Sequence, residues 1–293
     1  MNLLSLFAMG VFAAESVLSP LADNAPIPNN TPETQPSTTF GQLVVATPTP
    51  LPQELITTPS VTPTPSSPQL QSKKKSYSIA LLGDSMIDTL GPGVPLLKQK
   101  LQSLYPTTSF TLLNYGAGGT NIDYGIERLT HGYTYLGNQI PPLVLQHPDM
   151  VVVESFGYNP YPVEQGALDK HWLQLASIVT TLRQQLPDVA IVIAATIAPN
   201  DTVFGDGAPG ISFTKAEKLQ RTAVIKKYLE NAVRFAQSQH LPLADAYHAS
   251  LDGGGNGILS YINQGDHIHY SDTGRALFSQ KVADAIVTNH LLE

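Results

Sequence analysis

From residue 76 onward the chain alternates between two hydrophobic patterns. Short runs that are apolar at most positions occur at 77–82 (YSIALL), 109–114 (SFTLLN), 150–155 (MVVVES), 189–195 (VAIVIAA) and 241–246 (LPLADA). Continuous rather than alternating runs of this length predict parallel strands covered on both faces. Between the third and fourth runs, Trp172, Leu175, Ala176, Val179 and Leu182 recur at helical spacing. Between the fourth and fifth, Thr214-Lys215-Ala216-Glu217 is a capping-box signature, and Ile225, Tyr228, Leu229, Ala232 and Phe235 follow on one stripe. A last helix carries Leu277, Phe278, Val282, Ala285 and Ile286. Strands and helices in alternation, with no fixed-period repeat, predict an α/β fold: a three-layer α/β/α sandwich of about five mainly parallel strands with right-handed crossovers.

The chain upstream reads differently. Of the 24 prolines in the 293 residues, 12 precede residue 70, and the first 72 residues contain no Lys, Arg or His. Residues 3–14 are apolar apart from Ser5 and Gly10, too short a run for a spanning helix, which needs ~20 residues. The run suits the core of a secretory signal, with Val11-Phe12-Ala13 offering small residues at a cleavage site. Pro/Thr/Ser-rich stretches such as Ala46-Thr47-Pro48-Thr49-Pro50 favour extended polyproline II, a semi-rigid spacer. The expected organisation is residues 1–17 as signal peptide or hydrophobic segment, 18–75 as linker, and 76–293 as one domain. Extracytoplasmic location follows as an expectation, secreted or at the cell surface, with attachment to a surface or membrane through the N-terminal segment.

Charge and cysteine content narrow the chemistry. Residues 73–293 hold 16 basic side chains against 19 acidic ones, a net of −3 within a total of −7, so no basic stripe is available for a phosphate backbone and no nucleic-acid partner is expected. Lys73-Lys74-Lys75 reads as a solvated edge. With no cysteine, disulfides, thiolate zinc sites and a cysteine nucleophile are excluded.

The polar residues that follow the first three predicted strands are the informative ones. Gly83-Asp84-Ser85 follows the first, Asn114-Tyr115-Gly116-Ala117-Gly118-Gly119 the end of the second, and Phe156-Gly157-Tyr158-Asn159 the third. The carboxyl ends of parallel strands share one edge, where ligands bind. Ahead of the last helix, Gly265-Asp266-His267-Ile268-His269 can fold back over that edge. A serine needs a base, and the base needs an acceptor to fix its tautomer. His269 and Asp266 suit these parts for Ser85. The Ser85 N–H, the Gly119 N–H and the Asn159 amide suit an oxyanion hole.

This order of blocks, Gly-Asp-Ser, Asn-x-x-x-x-Gly, Gly-x-Asn and Asp-x-x-His, resembles the SGNH (GDSL-type) hydrolases from about residue 76 to the C-terminus. The resemblance implies a flavodoxin-like sandwich, Ser85 as nucleophile and oxyanion donor, Gly119 and Asn159 as further donors, and Asp266 with His269 completing the triad, with no cofactor. Met86 stands where the motif name has leucine, and Pro160 follows Asn159 where the family often has Asp.

The expected activity is hydrolysis of short acyl esters through an acyl-enzyme. O-acetyl groups on carbohydrate or cell-wall polymer are the expected substrate, because Tyr115, Tyr124, Tyr133, Tyr135, Tyr158 and Tyr161 cluster in the segments at and after strands two and three. O-acyl transfer by the same residues is the nearest alternative, with lysophospholipase or thioesterase activity beside it. Competing readings are a metal site at Asp266-His267-x-His269, a nucleotide site at Gly116-x-Gly118, and a silent surface-binding module. The blandest reading makes Gly-Asp-Ser and the glycine stretch plain turns, and Asp266 and His269 caps of the last helix.

Overall fold

A computed structural model describes residues 70–293; the expected signal segment and most of the expected spacer lie outside the described residues. Seven strands and seven helices follow in chain order: β1 (Ser76–Gly83), α1 (Ser85–Asp88), α2 (Pro95–Leu104), β2 (Ser109–Gly116), α3 (Ile122–Thr130), β3 (Tyr133–Tyr135), β4 (Asn138–Ile140), β5 (Met150–Glu154), α4 (Ala167–Gln185), β6 (Ala190–Ala195), α5 (Lys215–Ser238), β7 (Leu243–Asp245), α6 (Ala246–Ala249) and α7 (Asp272–Thr288). Five strands form a parallel sheet in the order β2-β1-β5-β6-β7, while β3 and β4 form a separate antiparallel hairpin.

The five predicted strands coincide with the five sheet strands to within a few residues. Their apolar continuity has the expected cause. Along β1, Ile79 and Leu81 pack toward α2 and α7, whereas Ala80 and Leu82 pack into the core shared with α3, α4 and α5. Both faces are therefore dry, and polar alternation would bury unpartnered groups. The capping box forms in both directions: Glu217 N donates to Thr214 Oγ1 at 3.3 Å and Thr214 N to Glu217 Oε2 at 2.8 Å.

At the N-terminal boundary, ordered contacts begin before residue 76. Leu70 N donates to Leu104 O at 3.0 Å, Lys73 N to Leu292 O at 2.8 Å, and Lys74 Nζ reaches Asp149 Oδ1 at 2.6 Å. The residues just ahead of β1 thus bind the rim of the domain they precede. Among the described residues no helix is long and apolar enough to cross a membrane.

Strand order positions the site. From β1 the chain steps outward to β2, then returns to the other side of β1 as β5, so the carboxyl ends of β1 and β5 flank the point where strand order reverses. A crevice opens at such a point because the segments leaving the two strands diverge to opposite faces. Asp84 and Ser85 leave β1 there, and Ser155 to Asn159 leave β5.

Candidate active site

The turn from β1 into α1 is built on close approach. A Cβ on Gly83 would lie 2.2 Å from Ile87 Cγ1 and 2.8 Å from Glu154 Cβ, so only glycine lets the chain turn this tightly between helix and neighbouring strand. Asp84, fully buried, caps α1 by accepting the Met86 N–H at 2.8 Å. Ser85, half-buried, is the first helical residue.

At the end of β2, a Cβ on Gly116 would meet Asp88 N at 2.1 Å, so β2 runs directly against α1. Asn114 locks this contact. Its Nδ2 donates to Ile87 O at 2.9 Å and Gly91 O at 3.0 Å, and its Oδ1 accepts the Gly116 N–H at 2.8 Å. The next turn comes beside the serine: the Cβ position of Gly118 lies 3.8 Å from Ser85 Cβ. Gly119 follows with φ +70°, a left-handed conformation that favours glycine. Among the described residues, neither the Ser85 N–H nor the Gly119 N–H has an intramolecular acceptor.

From β5, Asn159 turns back toward Asp84 and donates Nδ2 to its Oδ2 at 2.9 Å. Pro160 does not disturb this turn, which is closed by the Asn159 N–H on Phe156 O at 3.3 Å. Asp266 and His269 meet as a pair, with Nδ1 2.7 Å from Asp266 Oδ2. Asp266 Oδ1 also accepts the Ile268 and His269 N–H groups at 2.9 and 3.0 Å. Burial raises the Asp266 pKa, but the His269 ring and the two backbone donors outweigh it and bring it down to about 2. The carboxylate therefore stays ionised and favours the Nδ1–H tautomer, leaving Nε2 with a free lone pair. No hydrogen bond joins Ser85 Oγ to His269, and burial raises the pKa of Asp84, the residue before the serine, against lowering contributions from the Met86 N–H and the Asn159 amide.

The comparisons with known proteins bear on the fold. No family model and no curated protein matches the sequence. Solved structures do match. A lipase/acylhydrolase from Enterococcus faecalis superposes with a TM-score of 0.51 at 18% identity, over 73% of this chain and 96% of that one. A GDSL-like lipase from Bacteroides thetaiotaomicron gives 0.52 at 11% identity, over 73% and 89%. An acetyl xylan esterase gives 0.50 at 17% identity, over 71% and 99%.

The domain has the three-layer α/β/α fold of these lipase, acylhydrolase and esterase structures.

Within this fold, several competing readings acquire structural explanations. Ser271, not Asp266 or His269, caps α7, accepting the Gly274 N–H at 3.1 Å. His267 turns from His269 and places Nδ1 2.7 Å from Asp206 O, bracing the loop after β6. Asn121, where a nucleotide fingerprint would need its third glycine, caps α3. The tyrosines are mostly braces rather than an open platform: the hydroxyl of Tyr115 donates to Pro141 O, that of Tyr158 to Ile197 O, and that of Tyr161 to Asp123.

Two site residues were not foreseen from sequence, and a third was read there only as one of six clustered tyrosines. Arg128, on α3, is fully buried and donates to Tyr115 O at 2.6 Å, Gly83 O at 2.9 Å and Tyr124 O at 3.2 Å. It ties the ends of β1 and β2 together beneath the serine; burial lowers its pKa, partly offset by Tyr133. Glu154, also fully buried, accepts the Asp84 N–H at 3.3 Å and the Ser155 hydroxyl at 2.7 Å. Burial and the neighbouring Asp84 push its pKa well up. The third is Tyr135, on the β3–β4 hairpin. A charged residue inside an apolar run, as Glu154 is in MVVVES, was the one available signal.

Proposed function

We propose that the chain is a serine ester hydrolase of the SGNH type. Ser85 attacks an ester carbonyl as His269 takes its proton, and the Ser85 and Gly119 N–H groups with the Asn159 amide hold the oxyanion. His269 then returns the proton to the leaving alcohol, and water releases the acyl group by the reverse relay. The observation that carries this reading is the 2.7 Å Asp266–His269 bond, which orients a base in a domain whose first strand delivers Ser85 to the crevice between β1 and β5. Similar folds described as lipase/acylhydrolase and acetyl xylan esterase support it.

For the substrate we favour short acyl groups on a carbohydrate. The acetyl xylan esterase fold supports this, as does the short β3–β4 hairpin beside the site in place of a long apolar lid. Purified protein is expected to hydrolyse p-nitrophenyl acetate faster than the decanoate, and Ser85→Ala to abolish both. Wild-type turnover by Ser85→Ala overturns the mechanism, and preference for decanoate overturns the substrate class. A sugar acceptor in the assay separates hydrolysis from acyl transfer by the product formed.

A further inference from the structure

The β3–β4 hairpin contributes a contact that links the two parts of the proposed site lying on different strands. It reverses at Leu136 and Gly137, whose φ angles of +48° and +77° make a tight left-handed turn. Just before that turn, the Tyr135 hydroxyl accepts the Gly118 N–H at 2.8 Å and donates to Asp88 Oδ2, also at 2.8 Å. Asp88 is the last residue of α1, the helix that begins with Ser85, and Gly118 precedes the Gly119 whose N–H faces the oxyanion in the proposed mechanism.

Resting on that mechanism, we propose that Tyr135 is a positioning residue that fixes the Gly118–Gly119 turn against the helix bearing Ser85. Two consecutive glycines impose the weakest steric limits on a backbone, so little in the turn itself sets the direction of the Gly119 N–H. An oxyanion donor accelerates reaction only if it is already aimed when charge develops. Anchoring the Gly118 N–H to a phenol that is itself held by Asp88 removes one end of that freedom. Upstream, the Asn114 lock and the Ala117 N–H on Gly83 O at 3.1 Å hold the chain as far as Ala117, and the Tyr135 bridge carries that hold on to Gly118.

The hairpin is firm enough to serve. Tyr133 packs against Tyr115 and Tyr124 at centroid distances of 6.5 and 5.9 Å, and the Arg128 guanidinium lies 5.6 Å from the Tyr133 ring and 5.2 Å from that of Tyr124. Pro141, just past β4, accepts the Tyr115 hydroxyl at 3.0 Å. The phenol is thus carried on the cluster that already joins the ends of β1 and β2. Burial raises its pKa, and Asp88 adds to this against the Gly118 contact, so the hydroxyl keeps the proton it donates.

Tyr135→Phe removes the bridging oxygen and little else. On p-nitrophenyl acetate it is expected to lower kcat roughly 10- to 100-fold with KM within about twofold, a smaller loss than deleting an oxyanion donor outright. Affinity for a boronic acid that forms a tetrahedral adduct on Ser85 falls by the same factor as kcat/KM. Asp88→Asn weakens the same bridge, and the double variant is no worse than Tyr135→Phe alone. Thr134→Ala, on the same hairpin without a link to Gly118, leaves kcat unchanged. If Ser85→Ala is inactive and Tyr135→Phe keeps the wild-type kcat, the positioning role is overturned while the hydrolase reading stands. If kcat, KM and the urea midpoint of Tyr135→Phe all worsen together, the residue is only structural and the proposal again fails. Turnover by Ser85→Ala overturns the underlying reading instead.

Discussion

Asn159 Nδ2 donates to Asp84 Oδ2 at 2.9 Å, so the residue immediately before the serine fixes the amide that arrives from β5. One N–H of that amide is occupied by the buried carboxylate, and in the proposed mechanism the other serves the substrate oxygen. Asn159→Ala is expected to lower kcat about 10²- to 10³-fold with a small change in KM. Asp84→Asn keeps only one of the two acceptor oxygens that hold the Met86 N–H and Asn159 Nδ2, so a donor faces a donor on one side and kcat should fall as well. Steady-state kinetics on a short nitrophenyl ester check both; an Asn159→Ala enzyme with unchanged kcat removes Asn159 from the oxyanion hole.

The Asp266–His269 pair predicts a tautomer effect. Asp266→Asn keeps the size of the side chain but presents an amide to Nδ1, which favours the wrong protonation of the ring. A fall in kcat of about 10³- to 10⁴-fold is expected. Because the Asp266 pKa lies near 2, its own ionisation leaves activity unchanged across the neutral range. A wild-type rate in Asp266→Asn would show that another acceptor orients the base.

Arg128 predicts a stability effect. Arg128→Met fills similar volume but leaves the Gly83 and Tyr115 carbonyls without their buried donor. The expected loss is about 2–4 kcal/mol in urea unfolding, with reduced kcat in the folded fraction because β1 and β2 lose their tie beneath the serine. An unchanged urea midpoint contradicts this.

His171 gives the fold an acid sensitivity of its own. The ring is fully buried on α4, with Nε2 2.8 Å from Ser155 O and Nδ1 3.0 Å from Asn231 Nδ2. Burial lowers its pKa from 6.5 to about 4, against a raising contribution from the Ser155 contact. Between those values the unfolded chain binds the proton and the folded one does not, so the contribution is complete above about pH 6.5 and is lost as pH falls toward 4. The loss is on the order of 3 kcal/mol. His171→Gln should be less stable at neutral pH, and its stability should fall less than that of the wild type from pH 7 to 4. Equal slopes for the two proteins would refute the assignment.

The strands were legible because a strand buried on both faces must be apolar at nearly every position, as MVVV and VAIVIAA are. The capping box at Thr214 was legible because its hydrogen bonds are local. The β3–β4 hairpin was not. Its strands have three residues each, its turn is Leu-Gly rather than a strong turn pair, and its stability comes from Tyr115, Tyr124 and Arg128 elsewhere in the chain. Arg128 and Glu154 were missed for a related reason: their partners, Gly83 and Tyr115 at the ends of β1 and β2 and Asp84 just past β1, lie far off in sequence.

The sequence by itself determined the layered α/β fold, the side of the sheet on which chemistry would gather, and the residue types available for it, because those follow from local periodicity and from what leaves each strand. It also contains two Asp-x-x-His stretches, Asp245 to His248 and Asp266 to His269, and both form a short Nδ1–carboxylate contact, at 2.8 and 2.7 Å. Only the tertiary structure separates them. Asp245 ends β7, three strands from β1 and about 14 Å across the sheet at the usual strand spacing, and Glu230 on α5 lies 3.3 Å from the Nε2 of His248. Among the described residues no carboxylate pairs with the Nε2 of His269. Strand order and a side chain supplied by α5 make that difference, and both are properties of the folded chain.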